Sequence, residues 1–222
     1  MLGVEVDEFL KTISRSLGRE SVPLRPVSDP PVLDERIARL VGPESPLLER
    51  FVSAAEGSKL VVSRVERDRL VGAIAMLLRD KGLACAVVAR SGLLATQQLV
   101  AGLRGASIEA CWWDETSLDA TYDCDVGVTD VWMAIAETGS LVVRGTESHA
   151  RSLSLVPPVH VAVVERGQIV PDLIDAMRRI RSEGTSSGVV MITGPSKTAD
   201  IEMNLVTGVH GPGEVYVFVV VD

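Results

Sequence analysis

From residue 46 onward, short apolar runs alternate with segments of helical period, and this alternation restricts the possible folds more than any other feature. The stretch "PLLERFVSAAEG" (46–57) has helical spacing and precedes the strand-like "KLVVSRV" (59–65). Between Glu66 and Lys81, Leu70, Ile74, Leu77 and Leu78 share one helical face. "LACAVVA" then reads as a second short strand, "LLATQQLVAGL" as a helix and "ASIEACWW" as a third strand. These strands lack strict apolar–polar alternation, as expected of strands buried on both faces. The order β-α-β-α predicts an α/β fold, a mostly parallel sheet with helices on both faces. The middle departs from this rule. "VWMAIAETGSLVV" is two apolar runs around Glu137-Thr138-Gly139-Ser140, the pattern of an antiparallel hairpin insertion. "VHVAVV" follows as a strand and "PDLIDAMRRIRSEG" as a helix, opened by Pro171 and closed by Gly184. "GVVMIT" and "EVYVFVVV" are the last strands.

Ahead of this domain the pattern differs. "VEVDEFLKTISRSL" (4–17) places Val6, Phe9, Leu10, Ile13 and Leu17 on one helical face, and Gly18 ends the helix. "VPLRPVSDPP" then holds four of the chain's 11 prolines, which predicts an extended linker. Residues 1–32 are read as a helical arm plus linker, and 33–222 as the α/β domain. The arm is expected to pack on its own domain or on a partner.

Composition narrows the function classes. The net charge of −8 comes without any basic block, which argues against a nucleic-acid partner. The longest apolar runs, Val71–Leu78 and Val215–Val221, fall short of the ~20 residues a membrane span needs. Glu5, Asp7 and Glu8 stand where a signal peptide carries basic residues, so a cytoplasmic location is expected. Cys85, Cys111 and Cys124 have no spacing for a disulfide framework, a zinc ribbon or an iron–sulfur site. Cys85 and Cys111 are read as buried inert thiols, and Cys124, between Asp123 and Asp125, as more exposed.

One segment gathers chemistry. "TGPSKTADIEMNLVTGVHGPG" (193–213) follows the apolar "GVVMIT". Gly194 permits close backbone approach, Pro195 sets one φ angle, Ser196 and Thr198 offer hydroxyls and Lys197 a positive charge. The segment is read as opening a short helix whose first N–H groups would add an anion site. Ala199, Ile201, Met203 and Leu205 also alternate like a strand. The loop is not a Walker A motif, because Ser196 stands where that motif needs glycine before the lysine. On residue types alone, an ordinary strand-to-helix turn accounts for it equally well. His210 lies on a glycine-rich loop, where it is either solvent-exposed or able to reach a ligand. His149 and His160 are distant in sequence, and no two histidines share metal-ligand spacing. Glu137 ends a strand at a tight turn, a hairpin position and also a place for a base or nucleophile. Arg151 precedes Pro157-Pro158 and is either a solvated loop residue or a clamp for a carboxylate or phosphate. Of the pair Trp112-Trp113, one is expected in the core and one on the surface.

Four segments taken in order carry a resemblance. "GVTDVWMAIAETGSLVV", "RSLSLVPPVHVAVV", "IVPDLIDAMR" and "TGPSKTADIEMNLVTGVHGPGEVYV" resemble the lactate utilization protein C (LutC/YkgG) family, the LUD domain. The resemblance covers about residues 46–222 and is strongest from Gly127 onward. It implies a fold similar to the NagB/RpiA/CoA-transferase group and a part in bacterial L-lactate oxidation to pyruvate, beside iron–sulfur partner proteins. A chain without cluster-ligand cysteines fits the non-redox member of such a system, with no cofactor and no metal of its own. The positions it marks are Glu137 and His210 as catalytic candidates. Thr138, Gly139, Gly194, Ser196, Lys197, Thr198, Asp200 and Glu202 are the ligand-binding candidates, and residue type alone adds Arg151 to them. A small anionic ligand, iron–sulfur proteins and a second copy of the chain are the expected partners. The alternative reading is a free-standing enzyme on a small phosphorylated, acyl-CoA or folate-type substrate.

Overall fold

The computed structural model describes residues 6–19, 34–35, 39–184, 188–198, 206–207 and 211–221. The chain divides into two units, Met1–Ala38 and Arg39–Asp222. In the first, helix α1 (Val6–Ser16) ends before Gly18, whose φ of +65° suits glycine. Its Phe9, Leu10, Ile13 and Leu17 are all exposed.

The second unit opens with α2 (Leu47–Gly57), β1 (Val61–Val65) and α3 (Leu70–Asp80). Next come β2 (Cys85–Val88), α4 (Gly92–Thr96), α5 (Leu99–Gly105) and β3 (Glu109–Trp112). The run read as one helix over 93–103 is two helices. Gln98 between them adopts φ 50°, and a right-handed helix cannot continue through a left-handed residue. The chain continues through α6 (Ala120–Asp123), β4 (Val126–Asp130), β5 (Met133–Ile135), β6 (Ser140–Arg144) and β7 (Val159–Glu165). It ends with β8 (Ile169–Val170), α7 (Leu173–Glu183), β9 (Val189–Ile192), β10 (Lys197–Thr198), β11 (Val206–Thr207) and β12 (Glu214–Val220).

Six strands form a wholly parallel sheet in the order β1-β12-β7-β4-β2-β3. The expected hairpin, β5–β6, is the centre of a second, four-stranded sheet ordered β8-β5-β6-β9. Side-chain alternation along β7 shows how the layers stack. Val159, Val161 and Val163 face the helices α3, α4 and α5, whose Leu70, Ile74, Leu94, Leu99 and Leu103 are buried. Ala162 and Val164 face the other way, onto α2 and the second sheet through Phe51, Leu141 and Val143. The second sheet's far side packs Met133, Ile135 and Val142 against Ala176 of α7. That helix starts where the Asp172 carboxylate accepts from the Asp175 N–H, and Gly184 closes it at φ +77°.

Two cysteine expectations are corrected. Cys124 is 4 % exposed, and it is disulfide-bonded to Cys85 with 5.1 Å between their Cα atoms. Their separation of 39 residues hid the pair, because crossover strands bring together positions no local spacing relates. The tryptophans also differ from expectation. Both are half-buried against the helix-side core, since β3 ends at Trp112 and period-two alternation stops there.

Candidate functional site

In the parallel sheet, β2 crosses outward to β3, while β4 leads the other way to β7. The carboxyl ends of β2 and β4 therefore lie at a topological switch point, where open α/β sheets bind ligands. Ser91 follows β2, and Asp130 is the last residue of β4. The Ser91 hydroxyl donates to Asp130 Oδ1 at 2.5 Å. His149 Nδ1 lies 3.4 Å from the same carboxylate oxygen and 3.5 Å from Ser91 Oγ.

Local sequence explains this convergence. A Cβ on Gly92 would stand 2.2 Å from Asp130 Oδ2, so only glycine leaves room for the carboxylate. A Cβ on Gly127 would stand 1.8 Å from the Leu153 carbonyl oxygen, so β4 lets the turn Arg151–Ser154 lie directly upon it. The preceding turn is closed by Thr146 and His149, which exchange backbone hydrogen bonds, and the Arg90 N–H donates to the Ser148 carbonyl. These contacts carry His149 to the end of β4.

His149 is 5 % exposed, and its Nε2 has no hydrogen-bond partner among the described residues. Deeper in the same layer, His160 is fully buried with its Nε2 2.9 Å from Thr129 Oγ1. Burial, and secondarily the nearby His149, push His160 down from 6.5 to about 3, so its ring is neutral at physiological pH. Thr129 of β4 and His160 of β7 thus form a buried polar pair, near enough to His149 to feel its charge.

Beside His149, a cleft of about 700 Å³ is bordered by Trp113, Glu147, His149, Arg151, Ser152 and Leu155, among others, with His149 alone of the cluster in its wall. Arg151 is exposed and has no ion pair among the described residues. Nearby Arg90 is otherwise engaged. It pairs with Asp114 at 2.9 Å and with Glu115, and its guanidinium stacks 4.9 Å from the Trp112 ring. Among the cleft's described cations, Arg151 is therefore the one available to an incoming anion.

The positions marked in the sequence fall in two places. Glu137, Thr138 and Gly139 form the β5–β6 turn, with Glu137 half-buried. The Thr138 hydroxyl lies 2.6 Å from Ser140 Oγ, which lies 2.7 Å from Thr193 Oγ1. A Cβ on Gly139 would meet Ala55 N of α2 at 2.2 Å, and one on Gly194 would meet the Ser58 carbonyl at 2.5 Å. The Glu137 turn and Gly194 thus share the C-terminal end of α2. Ser196 donates its N–H to the Pro212 carbonyl, and Lys197, exposed, sits opposite Thr207 in the β10–β11 pair. Residues 194–198 do not open a helix, contrary to expectation. They run into a strand because β11 offers ladder partners, so no helix N-terminus contributes an anion site there. A Cβ on Gly211 would lie 3.3 Å from Ser196 Cβ and 3.6 Å from the Leu155 carbonyl. This junction adjoins the cleft at Leu155. Arg151 lies within the cleft itself. Asp200, Glu202 and His210 lie outside the described residues, as does the side chain of Thr198.

Ser91, Asp130 and His149 were not singled out from sequence. The available signal was position: "ARSG" after one strand and "GVTD" closing another, both at carboxyl ends of predicted parallel strands. Among the described residues no group of three or more His, Cys, Asp or Glu side chains is arranged to hold a metal ion. No described helix is long and apolar enough to cross a membrane.

Residues 48–220 match the LUD domain family. Lactate utilization protein C of an Exiguobacterium species is 30% identical over 226 residues, covering 96% of this chain and 95% of that protein. The protein of the same name from Anoxybacillus flavithermus is 37% identical over 114 residues, 50% of this chain and 52% of its own length. That from Bacillus subtilis is 38% identical over 110 residues, 45% of each chain. The chain thus spans about half the length of these last two relatives. A solved structure of a DUF162 family protein from Deinococcus radiodurans superposes with a TM-score of 0.58 at 26% identity, covering 78% of this chain and 96% of that one.

Proposed function

Since the chain belongs to the LUD domain family, we propose that it serves in a bacterial lactate-utilization system as a component that binds a small anionic ligand. It works beside iron–sulfur proteins that carry the electrons. The observation that carries the ligand reading is Arg151, exposed in the cleft beside His149 and without an ion pair among the described residues. A guanidinium is always charged and matches a carboxylate with two parallel hydrogen bonds. The similarity to Lactate utilization protein C over nearly the whole chain supports the pathway. The chain's three cysteines are fewer than the four thiolates that hold an iron–sulfur cluster, and two of them are joined to each other, which fits electrons being carried by the partner proteins.

The test is genetic and biochemical. Deleting the gene from its host should abolish growth on L-lactate as sole carbon source and spare growth on pyruvate. A tagged chain returned to that strain should restore growth and co-purify iron–sulfur proteins. Normal growth of the deletion strain on lactate would remove the proposal.

A further inference from the structure

All three cysteines of the chain border one cavity of about 510 Å³, at the amino ends of β2 and β4 and away from the switch point. We propose that this cavity is a thiol–disulfide exchange site, where a small uncharged dithiol opens the Cys85–Cys124 bond and so loosens one wall of the cleft beside His149. Cys85 is half-buried and Cys124 is 4 % exposed, and both line the cavity. A small molecule inside it meets the bond, which the dithiol of a whole protein would not. Arg104, Glu109 and Asp123 also border the cavity, one positive charge against two negative, which disfavours an anionic thiol. Cys111 stays a thiol. It stands opposite Val87 while Cys85 stands opposite Glu109, two residues and one strand apart. That offset puts about 8 Å between their Cα atoms, beyond the ~7 Å a disulfide can bridge. Burial also pushes the Cys111 thiol up, so it does not compete as a thiolate.

The bond can open without loss of the strands it joins. The carboxylate of Asp125, next to Cys124, accepts from the Ala84 and Cys85 N–H groups at 2.7 and 2.9 Å. From Ala86 and Val126 onward β2 and β4 pair directly. The two sulfurs therefore stay neighbours after cleavage and can rejoin. What the bond adds is a tether on residues 113–123. That segment is held near its start by Arg90, through Asp114 and Glu115, and at its end by Cys124. Between these ties it puts Leu118, together with Trp113, into the cleft wall. In the exchange, a thiolate of the reagent attacks Cys85 Sγ. The electron pair of the Cys85–Cys124 bond leaves on Cys124, which takes a proton from water. The reagent's second thiolate attacks the sulfur now bonded to Cys85, closes the reagent's own disulfide and releases Cys85, which is protonated in turn. The two cysteines gain two electrons and two protons, and the dithiol loses them.

The experiment treats the folded full chain with dithiothreitol, quenches it with acid and counts alkylated cysteines by mass spectrometry in denaturant. Of the three cysteines, Cys111 alone should be alkylated before treatment and all three after it. The rate should rise in proportion to dithiothreitol and stay constant in sub-denaturing urea, because the native cavity admits the reagent. Backbone 15N order parameters then read the wall. Thr121 and Tyr122, whose N–H groups bond to the Leu118 and Asp119 carbonyls inside the segment, should fall from about 0.85 toward about 0.6 once the bond is open. Ala89, whose N–H bonds to the Val128 carbonyl across β2 and β4, should stay near about 0.85. Reoxidation should restore the first values, and Cys111→Ser should leave every result unchanged. Cys124→Ser should give the loosened values with and without dithiothreitol, and the wild-type measurements decide the matter if that variant fails to fold. Three alkylated cysteines in the air-oxidised chain overturn the inference. So does a reduction rate that climbs with urea, for the bond then opens only through unfolding, or a pair of order parameters at Thr121 and Tyr122 that ignores reduction.

Discussion

His160 makes the stability of this protein depend on pH in a way that can be calculated. The ring, carried by β7 beside its neighbour β4, is fully buried with the Thr129 hydroxyl as its hydrogen-bond partner. Burial pushes it down from 6.5 to about 3. The folded state therefore holds the neutral ring, while the unfolded chain takes up a proton as pH falls through 6.5. This group's contribution is fully present above the unfolded value and is lost as pH drops from about 6.5 toward 3. Each pH unit of that gap is worth about 1.4 kcal/mol, so the loss is about 2 kcal/mol at pH 5 and about 5 kcal/mol at the acid limit. Two kcal/mol is a large share of a typical domain's stability of about 5–15 kcal/mol. The perturbation is His160→Gln, which keeps a polar group near Thr129 and cannot titrate. Urea unfolding of both proteins at about pH 7.5 and about pH 5 supplies the assay, and the carboxylates common to both cancel in the difference. The wild type should lose about 2 kcal/mol more than the variant over that interval. Equal losses would refute the reasoning, as would a 15N signal showing the His160 ring protonated in the folded protein at pH 5.

Reducing the Cys85–Cys124 bond, or replacing both residues by serine, opens a loop spanning 39 residues and should cost about 4 kcal/mol by chain entropy. Identical unfolding midpoints with and without reductant would contradict it. Gly139→Ala should destabilise by about 3 kcal/mol, because φ is +68° and the new Cβ meets Ala55 N at 2.2 Å. Thermal unfolding checks this, and a neutral result would mean the β5–β6 turn can move off α2. Lys197→Ala should change stability by no more than about 0.5 kcal/mol, since the residue is exposed. A larger drop would assign Lys197 to the fold.

The sheet order of this protein was not legible in its residues, but most of its elements were. Short unalternating apolar runs marked the parallel strands, because strands buried on both faces need no polar side. The glycines at 18 and 184 marked helix ends, since left-handed φ is cheap only without a Cβ. The β5–β6 hairpin followed from its turn residues. These are local matters, settled within a few residues of chain. The break at Gln98 was missed because "ATQQL" has no glycine or proline to announce it. The strand at Lys197–Thr198 was missed because its ladder partners, Thr207 and Val206, lie ten and eight positions further on. The disulfide and the switch-point cluster escaped for the same reason at longer range. Ser91, Asp130 and His149 are each unremarkable where they stand in the chain. They acquire meaning only when β2 is laid beside β4 and Gly127 admits the turn that carries His149 across. Which strands become neighbours is decided by burial of whole faces, a property of the assembled sheet that no single stretch of sequence contains.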